Sequence, residues 1–414
     1  MKNSVNEIKV GLNFGDKIIP VGRLAINNRQ IYFQYHDSFI EQNLNISPFH
    51  LPLKSEVFSF DYNLFEGMPG VFNDSLPDGW GRLLFDRFAR ASGILPSNIT
   101  PLDRLAHIGL SGLGALVYEP DHSTNENGNN INLDKLNLDK LAKQTQEVLD
   151  GASDEVLQDL LALNGSSAGA RPKALIGLNN GYKNIIHSTH DLPEGYSPWI
   201  VKFSSVQDGT DVGAIEYVYA LMARKAGILM PDVHLFSAKK SAGYFAVKRF
   251  DRNGKERFHM HTACGLLNSD FRVPALDYED LIALTSALTK DAREIEKLYQ
   301  LAVFNVLAHN RDDHSKNFSF LMNQKGEWKL SPAYDLTFSS GPRGEQSTMV
   351  VGEGQNPSVD HLIKLGNEAK LSKNRIAEII DKTQTALASW QILAKEYGVS
   401  ADNIRLIGKR INRN

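Results

Sequence analysis

Apolar positions along this chain change rhythm from one region to the next. Between residue 7 and about residue 60 they alternate with polar ones in short runs, Ile8-Lys9-Val10-Gly11-Leu12, Val21-Gly22-Arg23-Leu24-Ala25 and Ile31-Tyr32-Phe33. That is the period of strands, and it predicts a small β-domain. Pro, Gly, Asn and Asp then crowd residues 67–81, which read as a structured loop rather than a helix or strand. Residues 120–134 are almost wholly polar and read as a linker. Beyond them Leu138, Leu141, Val148 and Leu149 share a helix face, residues 199–203 form a strand, and residues 244–252 form a strand running into a turn. From residue 277 the pattern is helical, over 278–288, 290–308, 373–396 and 401–411, with a Gly-rich loop at 349–357.

The densest chemistry lies where the helix over 290–308 gives out. Leu298, Leu301, Ala302, Phe304, Asn305 and Ala308 carry its inward stripe. A polar loop follows, Arg311-Asp312-Asp313-His314-Ser315-Lys316-Asn317, then two short apolar runs separated by Asn323-Gln324-Lys325-Gly326-Glu327. Strand, Gly-containing turn and strand make a hairpin, which returns the chain to its starting point. Asp335, just past the second strand, is therefore expected beside Asn317, with Asp312 in the same loop. Phosphoryl transfer needs such a set: one Asp to accept the proton of the attacking hydroxyl, an Asn and a second Asp to hold Mg²⁺ against nucleotide phosphates. Spacing alone is weak, since Asp-x4-Asn arises about once by chance in a chain of this length. The order helix, polar loop, hairpin, Asp carries the signal.

Upstream stretches supply the remaining parts of a phosphotransfer site. Residues 163–176 place the small-residue run Gly165-Ser166-Ser167-Ala168-Gly169-Ala170 before an apolar strand. Such a run can present bare backbone N–H groups to phosphates, or serve merely as a flexible turn, and it lacks Walker A spacing. Lys202 sits on the strand 199–203 among apolar neighbours, either as an exposed-face cation or as a clamp for α/β-phosphates. The following helix offers Glu216 as its partner, while Asp211 near the helix start suits the helix dipole.

At these residues the chain resembles the HipA family of serine/threonine kinases, best known as toxins of toxin–antitoxin pairs. The family's Asp-x-His-x-Lys-Asn loop appears as Asp312 to Asn317, its metal-binding Asp as Pro332-Ala333-Tyr334-Asp335, and its Pro-Gly-x-Phe…Ser-Leu-Pro-x-Gly-Trp-Gly segment within residues 69–81. Its Ser-x-Ala-Gly-Ala-x-x-Lys loop puts the serine at Ser166, with Arg171-Pro172 departing from the best-known member. Its Val-x-Arg-Phe-Asp-Arg hinge corresponds to residues 247–252. The resemblance implies Asp312 as base and Asn317 and Asp335 as Mg²⁺ ligands, with Asp313 at a variable position. It implies ATP contacts from Ser166, Ser167, Ala168, Gly169 and Lys202, from Lys248 and Phe250 at the hinge, and from His314 and Lys316. It also implies autophosphorylation on Ser166, a protein substrate carrying Ser or Thr, and a small DNA-binding antitoxin through which any DNA contact is indirect. Arg249 and Asp251 can equally form a structural ion pair.

Composition narrows the rest. The 414 residues are 42% hydrophobic and 22% charged, enough for two or three cored domains, and a net charge of −3 supplies no global basic field for nucleic acid. Cys264 is the single cysteine, which excludes an internal disulfide and a cysteine-built zinc site. With no apolar leader or membrane-length run, the expectation is a cytoplasmic protein with no membrane partner. The expected fold class is α+β: an N-terminal β-rich domain (1–119), then a protein-kinase-like bilobal body with a β-rich lobe (135–253) and a helical C-terminal lobe (254–414). Two other functions use the same residues. One is an ATP-binding regulatory protein without turnover. The other is a metal-dependent phosphoesterase or nuclease built on His309, Asp312, Asp313 and His314.

Overall fold

The computed structural model describes residues 4–123, 135–151, 157–164, 169–188, 192–205, 208–273 and 275–411. Most of the polar stretch read as a linker, residues 124–134, lies outside them. The chain divides into two compact units, one of Met1–Gln207, Ala246–His261 and Met322–Gly326, the other of Asp208–Phe245, Thr262–Leu321 and Glu327–Asn414.

The first unit opens with a five-stranded sheet in which β1 (Glu7–Asn13), β2 (Ile18–Asn27), β3 (Gln30–Tyr35), β4 (Val57–Ser59) and β5 (Leu116–Glu119) lie in the order β4-β3-β2-β1-β5. All its pairings are antiparallel. The period-2 pattern holds, since Ile8, Val10, Leu12, Leu24, Ile31, Phe33 and Tyr35 are buried. Phe33 packs edge-on to Tyr35 at 4.8 Å and against Phe72 at 4.9 Å between ring centroids. The crowded stretch 67–81 is less irregular than its composition suggests. It contains a helical turn at Gly70–Asn73 and the start of the helix Gly79–Ala91, which buries Trp80, Leu84, Phe85 and Ala89. Glycines at the first and third positions of that helix hide it from a propensity reading. A second helix, Pro101–Ile108, opens on a capping box between Thr100 and Asp103, and Asp103 also accepts from the Val5 N–H at 2.7 Å. The same unit holds β6 (Lys173–Asn179), β7 (Ile185–His187) and β8 (Tyr196–Lys202), with β6 between β7 and β8, and residues 246–248 paired on the far side of β8.

The second unit is mainly helical: Val212–Ala226, Tyr278–Thr289, Ala292–Leu307, Val359–Glu368, Lys373–Leu387, Trp390–Glu396 and Ala401–Ile411. The stretch 373–396, read as one helix, breaks at Ala388-Ser389, where the Ser389 hydroxyl donates to the Ala386 carbonyl at 2.6 Å. Asp211 does more than favour a dipole. Its carboxylate accepts from the Ser400 N–H at 2.9 Å and the Asn403 amide at 2.8 Å, tying the start of Val212–Ala226 to the start of Ala401–Ile411. Among the described residues, no helix is long and apolar enough to cross a membrane.

A polar knot inside the first unit looks catalytic and is not. His261 bonds Asp74 at 2.6 Å through Nδ1 and Ser47 at 3.1 Å through Nε2, the connectivity of a nucleophilic triad. Ser47 is 2% exposed and His261 0%, so no substrate reaches them, and the set is an anchor. Beside it His259, fully buried, donates through Nε2 to the Ile46 carbonyl at 2.9 Å. Burial pushes its imidazole down to about 3, with His261 adding to the shift. A folded-state value below the unfolded one near 6.5 means that unfolding takes up a proton. The stabilisation from neutral His259 is therefore complete above pH 6.5 and is lost as pH falls toward 3, with a limiting slope of about 1.4 kcal/mol per pH unit. Urea titrations at pH 7.5 and 5 should show His259→Gln less stable at pH 7.5 by about 1–2 kcal/mol, with a shallower acid slope than the native protein. Parallel slopes would contradict this.

Candidate active site

The helix Ala292–Leu307 ends where His309 turns left-handed at φ 57°. Its ring donates through Nδ1 to the Ser339 carbonyl at 3.1 Å. After the polar loop come the strands Ser319–Met322 and Trp328–Leu330, as the hairpin pattern requires. The Ser331 N–H donates to the Ser319 carbonyl at 2.8 Å, and the Tyr334 hydroxyl donates to the Lys316 carbonyl at 2.6 Å and meets the Ser319 hydroxyl. The residues so joined, Tyr334 and Lys316, immediately precede Asp335 and Asn317. The second strand is fixed in turn by buried Glu294, whose carboxylate accepts from the Leu330 N–H at 3.1 Å and pairs with Lys297 at 2.7 Å.

Asn317 donates through Nδ2 to the Asp312 carbonyl at 2.7 Å. This bond fixes which end of the carboxamide is oxygen and leaves Oδ1 as the end available to a cation. Asp335 sits at φ 74°, a left-handed conformation that Asp tolerates better than most side chains. Amide oxygen and carboxylate are hard donors suited to Mg²⁺, which keeps several waters and substrate oxygens in its shell. Asp312 is exposed, whereas Asp313 is 1% exposed and accepts hydrogen bonds from Tyr278, Gln346, Ser347 and Thr348. Burial pushes the Asp313 carboxyl up to about 7, against the pull of these donors. His314 and Lys316 face the Phe271 ring, His314 at 5.3 Å between centroids and the Lys316 ammonium 4.7 Å from the centroid. The four-residue metal site on His309, Asp312, Asp313 and His314 does not form. Among the described residues no three His, Cys, Asp or Glu side chains gather as a metal cluster, and Asp313 is already engaged.

In the first unit, Lys173 of β6 stands directly opposite Lys202 of β8 in the antiparallel register. Directly opposed residues share a face, so two ammonium groups concentrate positive charge at one end of this sheet. Ser166, Ser167 and Ala168 lie outside the described residues, but both flanks of that run are placed. Gly169 donates its N–H to the Asp78 carboxylate and accepts from the Trp80 N–H at 3.1 Å. A Cβ on Gly79 would come within 2.6 Å of Ala170 Cα, and one on Gly81 within 2.5 Å of the Asn164 amide. The Pro77–Gly81 turn therefore grips the chain on either side of the small-residue run. Sequence reasoning left Lys173 and Asp78 without roles. The first shows as the last residue of the Ser-x-Ala-Gly-Ala-x-x-Lys pattern, and the second carries no local signal.

Lys248 pairs with Trp199 at the end of its strand, and the Arg249 N–H donates to the Pro198 carbonyl at 2.9 Å. Phe250 is half-buried beside a charged knot. Asp251 accepts from Arg249 and Arg252 at 2.7 Å each and from the Gly114 N–H at 2.7 Å, while Arg252 and Arg257 also donate to the Gly114 carbonyl. Burial pushes the Asp251 carboxyl up, but Arg249 and Arg252 overcome it and hold it well below the usual range. Arg249 and Asp251 are thus the structural ion pair allowed for above. Breaking such a buried pair costs about 3–5 kcal/mol. Glu216 is buried on the helix Val212–Ala226 in the second unit, and Lys202 belongs to the first.

Sequence comparison matches residues 17–119 to the HipA N-terminal domain and residues 165–390 to the HipA-like C-terminal domain. "Putative kinase Y4mE" of Sinorhizobium fredii is 26% identical over 395 residues, 86% of each chain. "Putative kinase Y4dM" of the same organism is 25% identical over 199 residues, 45% of this chain, and the match spans about half of that relative, 46%. Among solved structures, the toxin–antitoxin complex of HipA, HipB and operator DNA from Shewanella oneidensis superposes with a TM-score of 0.68 at 17% identity, covering 98% of this chain and 95% of that one. The α+β architecture, with its N-terminal β-sheet and helical C-terminal part, is that of HipA. The family model over residues 165–390 spans more than half of the chain, and the protein belongs to the HipA family.

Proposed function

We propose that this protein is a Mg²⁺- and ATP-dependent protein serine/threonine kinase, the toxin of a pair whose antitoxin is a small DNA-binding protein. The return of the hairpin carries the reading, because it sets Asp335 behind a residue bonded to the neighbour of Asn317, with Asp312 exposed in the same loop. Asp312 aligns the Ser or Thr hydroxyl and takes its proton as the oxygen attacks the γ-phosphorus and the bond to the bridging oxygen of the leaving ADP breaks. Asn317 Oδ1 and the Asp335 carboxylate would hold Mg²⁺, which when bound neutralises charge on the phosphates. Lys202 and Lys173 hold the phosphates. The backbone at Lys248 and Phe250 receives the adenine, and Ser166, Ser167, Ala168 and Gly169 cover the nucleotide, with His314 and Lys316 beside it. DNA contact would pass through the antitoxin; the Shewanella HipA is found in a complex with HipB and operator DNA.

Asp312→Asn should abolish transfer onto protein while leaving Mg²⁺·ATP binding within about threefold, since it removes a proton acceptor and no ligand. Asp335→Asn should weaken binding of the metal–nucleotide complex itself. Calorimetry with ATP, with and without Mg²⁺, and a phosphate-transfer assay separate the two, and near-normal turnover by Asp312→Asn overturns the base assignment. ATP binding but no transfer by the native protein would favour the regulatory reading.

The opposed lysines generate a second expectation. Lys202→Met and Lys173→Met should each weaken ATP binding by at least about tenfold, the effect of losing a charge-assisted contact of roughly 1.5–3 kcal/mol. An unchanged thermal shift with ATP in both variants would remove the pair from the site.

Ser166 is the proposed autophosphorylation site. A phosphate there adds about −1.5 to −2 charge where the γ-phosphate belongs, which disfavours ATP and makes the kinase self-limiting. Mass spectrometry after incubation with Mg²⁺·ATP should find the phosphate on Ser166, absent from Asp312→Asn, and Ser166→Ala should prolong activity. Modification confined to Ser167 contradicts the assignment.

A further inference from the structure

The catalytic loop is locked to a distant segment from inside, and the lock is a carboxylate that transfers nothing. Asp313 Oδ1 accepts from the backbone N–H groups of Ser347 and Thr348 at 3.1 and 3.2 Å. Its Oδ2 accepts from the Tyr278 hydroxyl at 2.6 Å and the Gln346 amide at 3.0 Å. Its carbonyl accepts from the Thr348 hydroxyl. These contacts close a ring: Asn305 donates to the Tyr278 hydroxyl at 3.0 Å, Asn310 donates to Asn305 at 2.9 Å, and Gln346 donates to the Asn310 carbonyl at 3.1 Å. Asp313, Tyr278, Asn305, Asn310 and Gln346 are each 3% exposed or less. The ring thus joins the end of the long helix, the catalytic loop and residues 346–348.

Neighbouring residues reinforce the same seam. The Arg311 carbonyl accepts from Ser347 through both its N–H, at 3.1 Å, and its hydroxyl, at 2.9 Å. The Arg311 guanidinium donates to the Gly344 carbonyl and to the Gln355 carbonyl at 2.9 Å. On the far side, Leu276-Asp277 pair in parallel with Thr348-Met349, and the Asp277 carboxylate accepts from the Val351 and Gly352 N–H groups at 3.1 and 2.7 Å.

In many kinases the segment after the metal-binding Asp is ordered only when a phosphate on it pairs with arginine, and catalysis waits for that event. Here the arginine directly before the proposed base is occupied by backbone carbonyls of the segment. A buried carboxylate takes the N–H groups that a disordered segment would leave to water. We infer that Asp313 is a positioning residue for Asp312, holding residues 346–348 against the catalytic loop so that activity needs no phosphate on that segment. This inference rests on the kinase reading above.

Its test compares native protein, Asp313→Ala, Gln346→Met and the double variant, each scored per ATP-binding site so that misfolded protein does not count. Asp313→Ala should bind Mg²⁺·ATP within about threefold of the native protein yet lose about 10²-fold in kcat, the scale of a misplaced catalytic group. The double variant should be no slower than Asp313→Ala, because both act through one clamp. Amide hydrogen exchange at Ser347 and Thr348 should accelerate in Asp313→Ala, and native protein stripped of phosphate on residues 337–356 should keep its kcat. A native-like kcat in Asp313→Ala, or a native enzyme silenced by removing phosphate from that segment, overturns the inference while the kinase reading stands. If Asp313→Ala fails to fold, Gln346→Met and Thr348→Val carry the comparison, and native kcat in both overturns it. A native protein without phosphate transfer removes the kinase reading, and this inference with it.

Discussion

A carboxylate taken out of water must find donors for its lone pairs, and that requirement organises each unit of this protein. In the first unit Asp251 draws Arg249, Arg252 and the Gly114 N–H around itself, joining the end of a strand to a turn more than a hundred residues earlier. In the second, Asp313 does the same for Tyr278 and residues 346–348. An apolar contact would hold such segments together without fixing their rotation or register. Directional bonds to a single buried group fix both.

The proposed chemistry benefits because its groups sit on loops, and loops hold geometry only when something rigid underlies them. Below the loop after His309 lies a helix whose Glu294 reaches the second hairpin strand, and Tyr334 bonds the loop backbone directly. Asn317 is oriented by the main chain of Asp312, so proposed ligand and proposed base are set by one another's position. The opposed lysines of the first unit likewise owe their meeting to strand register rather than to loop conformation.

What the sequence revealed, and what it hid, follows from the range of each interaction. The strands from Ile8 to Phe33 were legible because one face meets the core and the other water, and the hairpin because its turn lies between two apolar runs. The expectation that Asp312, Asn317 and Asp335 meet was drawn from that hairpin. The helix at Gly79 was hidden by its glycines, which serve close approach, Gly79 to Gly169–Ala170 and Gly81 to Asn164, rather than helix propensity. The helix Val359–Glu368 carries only Leu362, Leu365 and Gly366 as buried positions, too short a stripe to register. Lys173 facing Lys202 depends on which strands pair, and Asp313 as an anchor depends on residues over thirty positions away. Neither leaves a local trace.

Asp335 links backbone and chemistry in a way that bears on how this position can change over time. Its φ of 74° falls where glycine is at ease, asparagine and aspartate are tolerated, and most other residues are strained. The substitutions the main chain accepts most readily are thus Asn and Gly, and both discard the carboxylate. Alanine or a larger apolar residue would disturb the hairpin's exit as well as remove the charge, so its effect would mix strain with lost chemistry. A lineage that abandoned the proposed phosphotransfer while keeping the fold should therefore drift here toward Asn or Gly. Such a residue after the Pro-Ala-Tyr run would mark, from sequence alone, a relative that has kept the scaffold and given up the reaction.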